Sequence, residues 1–223
     1  TGKALIYSQF RGDAGLEAVE LILQSNGYSR YNPDEGIKDK RLSKYKKEFE
    51  NYFNFCKNLN YLHHNGKVYF SHPLRVATIA YKLRKYSKSH KNLIKLALFH
   101  NIIETSNHRL SFLKKFLGKQ VVEQIKILTV NRKKQWNDTY KRNYYKKIYS
   151  HNKNTRLIKI IDKLDNLFII GLCKSSLTRK RYIKEIESFI LPMVEKDIPS
   201  LVKYFNGLIK QSYNLGYYKN KYN

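Results

Sequence analysis

Apolar residues recur along most of this chain at the three- and four-residue steps of an α-helix, and beyond Leu42 no alternating strand pattern survives. The periodicity predicts helices over about 40–62, 73–87, 91–105, 109–117, 119–130, 137–150, 153–171, 180–196 and 198–213. Gly118, Gly171 and Pro199 fall between them, where helix breakers belong, and Pro73 suits a first helical turn. The implied body is an all-α bundle of roughly eight or nine helices. The first ~36 residues differ. Lys3–Phe10, reading KALIYSQF, suits a strand. Leu16–Ser25 fits a helix with a natural stop at Asn26-Gly27. The breaker cluster Asn32-Pro33-Asp34-Glu35-Gly36 marks a boundary. The expected organisation is a strand–helix appendage over residues 1–36, a helical domain over 40–213 and a disordered tail over 214–223.

Length and composition narrow this picture without changing it. A chain of 223 residues has room for one ordinary domain and a small appendage, and buries a real core without disulfide or metal staples. Cys56 and Cys173 form no C-x-x-C unit; they read as buried small hydrophobes in apolar helices of an intracellular, reducing setting. The longest apolar run, Ile158–Leu172, is interrupted by Lys159, Asp162, Lys163 and Asp165, so no membrane span is expected. No secretory leader is visible, and a start at Thr1 without methionine is compatible with a fragment of something longer.

Charge bears on partners. With 44 Lys+Arg against 17 Asp+Glu, the formal charge of +27 has two readings, one of them a phosphate-rich partner such as nucleic acid or a polyphosphorylated nucleotide. A competing reading is compositional drift: Lys, Asn, Tyr and Ile are abundant together and the lysines are spread along the chain. On that reading, non-specific nucleic-acid affinity through a basic surface is a by-product. No zinc-finger, helix-turn-helix or RNP-type motif points to a dedicated nucleic-acid reader. The tyrosines Tyr140, Tyr144, Tyr145 and Tyr149 lie on helical spacing and read as packing.

Three stretches carry the candidate chemistry: HHNGKVYFSHP at residues 63–73, KLALFHNIIETS at 95–106 and RLIKIIDKLDNLFI at 156–169. Any lone histidine in them reads first as a core residue. Taken together and in order, they resemble the metal-site segments of the HD superfamily, and more narrowly the RelA/SpoT-type alarmone hydrolases. The shared stretches are GKVYFSHPLRVA, LALFHNIIETS and IKIIDKLDN, with FLKKFLGKQVVEQIKILT at 112–129 between them. The resemblance covers about 150 residues. It implies an HD-domain helical bundle and a divalent ion, Mn²⁺, held by His72, His100, Asn101 and Asp162. Such an ion lowers the pKa of a bound water and screens charge building on phosphorus, and Glu104 assists as acid or base. The implied substrate is a phosphorylated guanine nucleotide, guanosine 3′,5′-bis(diphosphate) or a relative, with Asn166 at a nucleotide-contacting position. His63 and His64 replace the family's nucleotide-facing Arg-Lys pair and are candidate substrate contacts.

Other departures bear on activity. Asn101 stands where the family has Asp, Thr105 where it has the second acid of a Glu-Asp pair, and Asp165 where it has His. A neutral amide gives a cation less charge than a carboxylate does. Two such losses, each worth about 10²–10⁴-fold, point to impaired or lost turnover unless Asp165 or Glu104 takes the vacated role. The alternative function is therefore a catalytically inactive HD module that binds nucleotide or nucleic acid. Residues 1–36 separately resemble the opening strand and helix of the second RecA-like domain of superfamily-two helicases, with no phosphate loop or acidic metal box to accompany them.

Overall fold

A central helix organises the described residues, and its sequence shows why. In a computed structural model, which describes residues 71–105, 110–170, 173 and 175–218, the run Lys153–Ile169 is one helix buried around most of its circumference. Leu157, Ile158, Ile160, Ile161, Leu164 and Leu167 are all less than 5 % exposed. A helix apolar on every side belongs inside a bundle. Asn152 caps it, its side chain accepting the Thr155 N–H at 3.0 Å.

Numbered along the chain, the other helices are α1 (Ser71–Lys82), α2 (His90–Phe99), the single turn α3 (Ile102–Thr105), α4 (Leu110–Leu117), α5 (Lys119–Leu128) and α6 (Asp138–Ser150). The central helix is α7, followed by α8 (Ser176–Glu185), α9 (Leu191–Asp197) and α10 (Val202–Tyr218). No strand occurs among the described residues; the all-α class holds. Helices α1, α2, α5, α6, α9 and α10 all pack on α7, and α1 lies along α2. The residues named for chemistry on α1, α2 and α7 therefore meet where those three helices meet. No helix among the described residues is long and apolar enough to cross a membrane.

Local chemistry sets the boundaries. Gly118 takes φ +92° between α4 and α5, a conformation that disfavours any side chain. Asn137 caps α6 through Tyr140 N–H, and Ser175 caps α8 through Thr178 N–H. That cap starts α8 at Ser176, four residues earlier than the periodicity places it. Pro192 has no N–H for the Ser188 carbonyl, and the chain widens into a π-turn over Ile186–Ile190 just before it.

Three expectations are corrected. The helix expected over 91–105 breaks at His100–Asn101, where the Asn101 carbonyl accepts the N–H groups of Glu104 and Thr105 and the Thr105 hydroxyl. Periodicity runs through such a break because the apolar face continues on both sides. The tail expected from 214 is still helix as far as Tyr218: one Gly costs a helix only about 1 kcal/mol, too little to end it at Gly216. Cys173 is half-buried and lies between helices, its thiol beside the Ser175 carbonyl, because α7 stops at Ile169. The strand–helix appendage, Cys56, His63, His64 and residues 219–223 lie outside the described residues.

Two charged clusters tie the bundle together. Arg156 on α7 makes a two-point bond to Asp197 on α9, at 2.5 and 2.9 Å, and also donates to the Tyr149 and His151 carbonyls. Glu185 on α8 accepts from Tyr145 OH at 2.6 Å and pairs with Lys163 at 2.5 Å and Lys141 at 3.1 Å. Burial pushes the Glu185 carboxyl up, but Lys163, Tyr145 and Lys141 outweigh it and hold it at about 2. A depressed carboxyl contributes stability that is full above the ordinary value of 4.5 and fades as pH falls toward 2. The contribution is at most about 3 kcal/mol at neutral pH. Glu185→Gln is thus expected to lower stability at pH 7, with the gap to wild type narrowing steadily below pH ~5. Urea unfolding at several pH values checks this; a gap independent of pH would show that the carboxylate charge contributes nothing.

Candidate metal centre

The site begins with three side chains on three elements. His72 stands in the first turn of α1, His100 caps the C-terminal end of α2, and Asp162 lies in mid-α7. All three are buried, His100 to 1 % exposure. His72 Nε2 lies 3.2 Å from His100 Nε2 and 3.3 Å from Asp162 Oδ1, and His100 Nε2 lies 3.8 Å from that oxygen.

Those separations test whether a cation fits. Donors about 2.1 Å from a common ion stand roughly 3.0 Å apart at right angles and roughly 3.4 Å apart at tetrahedral angles. The observed 3.2–3.8 Å suits one ion touching all three. The proton positions agree. His100 Nδ1 faces the Ala97 carbonyl at 2.7 Å, an acceptor, so Nδ1 carries the hydrogen and Nε2 presents its lone pair. His72 Nδ1 faces the Asp165 carboxylate at 2.6 Å, so its Nε2 also points into the site. Two imidazole lone pairs converging beside a buried carboxylate call for a positive charge between them, a proton or a metal ion. Two nitrogens with one oxygen suit a divalent transition ion better than the all-oxygen sites of Ca²⁺ and Mg²⁺.

The titration directions fit the same picture. Burial lowers His72, but bonds to Asp162 and Asp165 overcome it and raise the ring above 6.5. Burial dominates at His100 and lowers it to about 4, leaving it neutral. Burial would raise Asp162; Lys159 and the two histidines hold it well below the usual carboxylate range.

Around the three, Lys159 and Arg75 take roles that the sequence motifs do not assign. Lys159, one turn before Asp162, is 3 % exposed and donates to Asp162 Oδ2 at 2.9 Å. Its ammonium also lies 5.5 Å from the Tyr144 ring centre. A lysine inside an apolar run three residues from an aspartate is the signal that marks it. Arg75, one turn after His72, donates twice to Asp165, at 2.8 and 2.9 Å. Nothing local announces that pairing, since its partner is 90 residues away.

The remaining candidates fall into place as follows. Asn101 is 7 % exposed, directly after His100. Asn166 donates to the Asp162 carboxylate at 2.9 Å and to the Asp162 carbonyl at 3.0 Å, and so borders the site. Glu104 is held elsewhere. One oxygen accepts the Val130 N–H at 2.9 Å, and the other lies 2.7 Å from the Arg132 guanidinium. The helix break at His100–Asn101 means that His100 and Glu104 do not share a continuous helical face. Thr105 bonds back to the Asn101 carbonyl through its hydroxyl. Tyr144 and Tyr145 are buried packing residues, with Tyr140 stacked on Tyr144 and Tyr145 on Phe189.

No family model matches the chain, and no curated protein matches it. Solved structures do. One is a protein described as a metazoan ortholog of SpoT that hydrolyzes ppGpp and plays a role in starvation responses. It is 19 % identical, over 74 % of this chain and 93 % of that one, with a TM-score of 0.57. Another is a Listeria monocytogenes EGD-e protein, 22 % identical over 65 % of this chain and 96 % of its own, with a TM-score of 0.50. At these identities the likeness is one of fold: the described residues share the helical fold of these proteins, and they bring His72, His100 and Asp162 together in a group able to hold a metal ion.

Proposed function

We propose that the chain is a divergent HD-type, metal-dependent phosphohydrolase whose substrate is a phosphorylated guanine nucleotide of the guanosine 3′,5′-bis(diphosphate) kind. The convergence of His72 Nε2, His100 Nε2 and Asp162 Oδ1 carries this reading. A divalent cation held there supplies Lewis acidity toward a phosphoryl oxygen and lowers the pKa of a water. The chain's own residues do the rest. Asn166 holds the Asp162 carboxylate from one side and Lys159 from the other, so the oxygen facing the histidines is fixed. The ammonium of Lys159 and the guanidinium of Arg75 offset the charges of Asp162 and Asp165 beside the triad.

The same charges weaken the hold on a cation. Around the triad, the carboxylates Asp162 and Asp165 are matched by Lys159 and Arg75, and position 101 is the neutral Asn101. Mn²⁺ affinity is therefore expected to be modest. Asn101→Asp, which adds an anion next to His100, is expected to tighten it by about 10- to 100-fold.

A second reading has its own observation. Glu104, the candidate acid or base, is turned to the segment after α5: one carboxylate oxygen accepts the Val130 N–H, and the other, which makes no hydrogen bond, is ion-paired with Arg132. This favours a catalytically silent module that binds nucleotide, or nucleic acid through its basic surface. Calorimetric Mn²⁺ titration and release of pyrophosphate from guanosine 3′,5′-bis(diphosphate), in wild type and in Asn101→Asp, separate the two. Metal binding with turnover in wild type supports the enzyme. Metal and turnover gained only on Asn101→Asp support a silent descendant of an enzyme. Metal binding by neither form overturns the triad as a metal site.

A further inference from the structure

We infer that Asp165 is a positioning residue: with Arg75 as its clamp, it fixes the tautomer and ring plane of His72 so that Nε2 faces the site. The inference rests on the triad reading above and goes beyond it by assigning a role to residues outside the triad.

His72 sits in the first turn of α1. A ring free to rotate about its side-chain bonds would present Nδ1 or Nε2, in either tautomer. Here Nδ1 lies 2.6 Å from Asp165 Oδ2, a short, charge-assisted distance. An ionised carboxylate only accepts, so the hydrogen belongs on Nδ1 and the lone pair on Nε2. That is the arrangement by which a second carboxylate orients an imidazole ligand and raises its basicity. The two-point bond from the Arg75 guanidinium, at 2.8 and 2.9 Å, is the pairing of an ionised carboxylate.

Asp165 in turn needs holding, since a carboxylate 4 % exposed costs free energy unless it is paired. Arg75 supplies a two-point bond through Nε and Nη2 while about half of its own side chain stays exposed. His72 and Arg75 are three residues apart on α1, so one helix face delivers both to the same carboxylate. Asp162 and Asp165 are likewise three apart on α7 and meet opposite sides of the His72 ring: Oδ1 of the first at Nε2, Oδ2 of the second at Nδ1. The α1–α7 contact is thus a carboxylate–imidazole–carboxylate sandwich. The second carboxylate partly makes up for the anion missing at Asn101 by strengthening His72 as a donor, without touching the ion.

The test reads the ring and the metal separately. Long-range ¹H–¹⁵N NMR of the metal-free protein above pH 8 reports the His72 tautomer. Calorimetry with Mn²⁺ reports affinity, with His100→Ala as the control for loss of a ligand. Asp165→Ala is expected to shift His72 away from the Nδ1–H form and to weaken Mn²⁺ by about 10- to 100-fold. Asp165→Asn, which keeps an acceptor, is expected to restore most of the tautomer and part of the affinity. Thermal unfolding confirms that each variant is folded; if Asp165→Ala is not, the graded comparison of wild type with Asp165→Asn decides on the same two readouts. An unchanged tautomer and unchanged affinity in the Asp165 variants, with affinity lost in His100→Ala, would overturn the role of Asp165 and leave the triad standing. No Mn²⁺ binding in wild type would remove the triad reading, while a tautomer that still depends on Asp165 would support its orienting role.

Discussion

Asp162→Ala is expected to cost about 3–5 kcal/mol of folding stability, a large share of the 5–15 kcal/mol typical of a domain. The cause is Lys159. Its ammonium is 3 % exposed and bonded to Asp162 Oδ2 at 2.9 Å. Burial would lower its pKa, but Asp162 outweighs this and raises it, so the charge persists in the fold. Removing the carboxylate leaves that charge buried and unmatched, which costs far more than the pair itself contributes. The paired variant Lys159→Met with Asp162→Leu removes both charges and is expected to recover most of the loss. Urea denaturation of the three proteins checks this, with a constant slope confirming that only stability has moved. A loss under about 1 kcal/mol for Asp162→Ala would mean that Lys159 reaches water after all. The paired variant also yields a stable protein without the carboxylate donor, so loss of metal is separable from loss of fold.

Asp197→Ala is expected to cost about 3 kcal/mol for the same reason at another place. Arg156 is 9 % exposed, and its guanidinium fork matches the two Asp197 oxygens. The cost falls at the lower end of the range because the Tyr149 and His151 carbonyls still accept from Arg156. A double-mutant cycle with Arg156→Ala isolates the pair and is expected to give a coupling of about 2 kcal/mol or more. Arg156 lies six residues before Asp162 on α7, about 9 Å along the axis. Mn²⁺ affinity, measured on folded Asp197→Ala, is therefore expected to be unchanged. A coupled fall in affinity would show that the position of α7 against α9 sets the geometry of the triad.

The helical class and most helix positions are legible in the chain because they depend on short-range periodicity. Leu157, Ile158, Ile160 and Ile161 around Asp162 could be buried only in a helix covered on all sides. The candidate ligands His72, His100 and Asp162 were legible for a different reason: each stands in a short stretch whose order and spacing resemble a known site. What periodicity could not register was the turn at His100–Asn101, since the apolar face resumes at Ile102. Nor could it show where Glu104 points, because its partners Val130 and Arg132 are more than 25 residues on.

The sequence by itself determined the helical class of the body that the structure describes, and which histidines and aspartates are candidates for chemistry. Both follow from interactions within a few residues: side-chain spacing, caps and breakers. Only the tertiary structure decided which charges meet. Lys159 reads in the chain as an interruption of an apolar run and becomes the buried counter-charge of Asp162. Asp165 reads as a departure from a motif and lies against His72 and Arg75. Glu104, read as an acid or base, is bonded to the segment after α5. Partners of charged groups are chosen by distance and burial in three dimensions, and a buried charge must find one wherever the fold provides it.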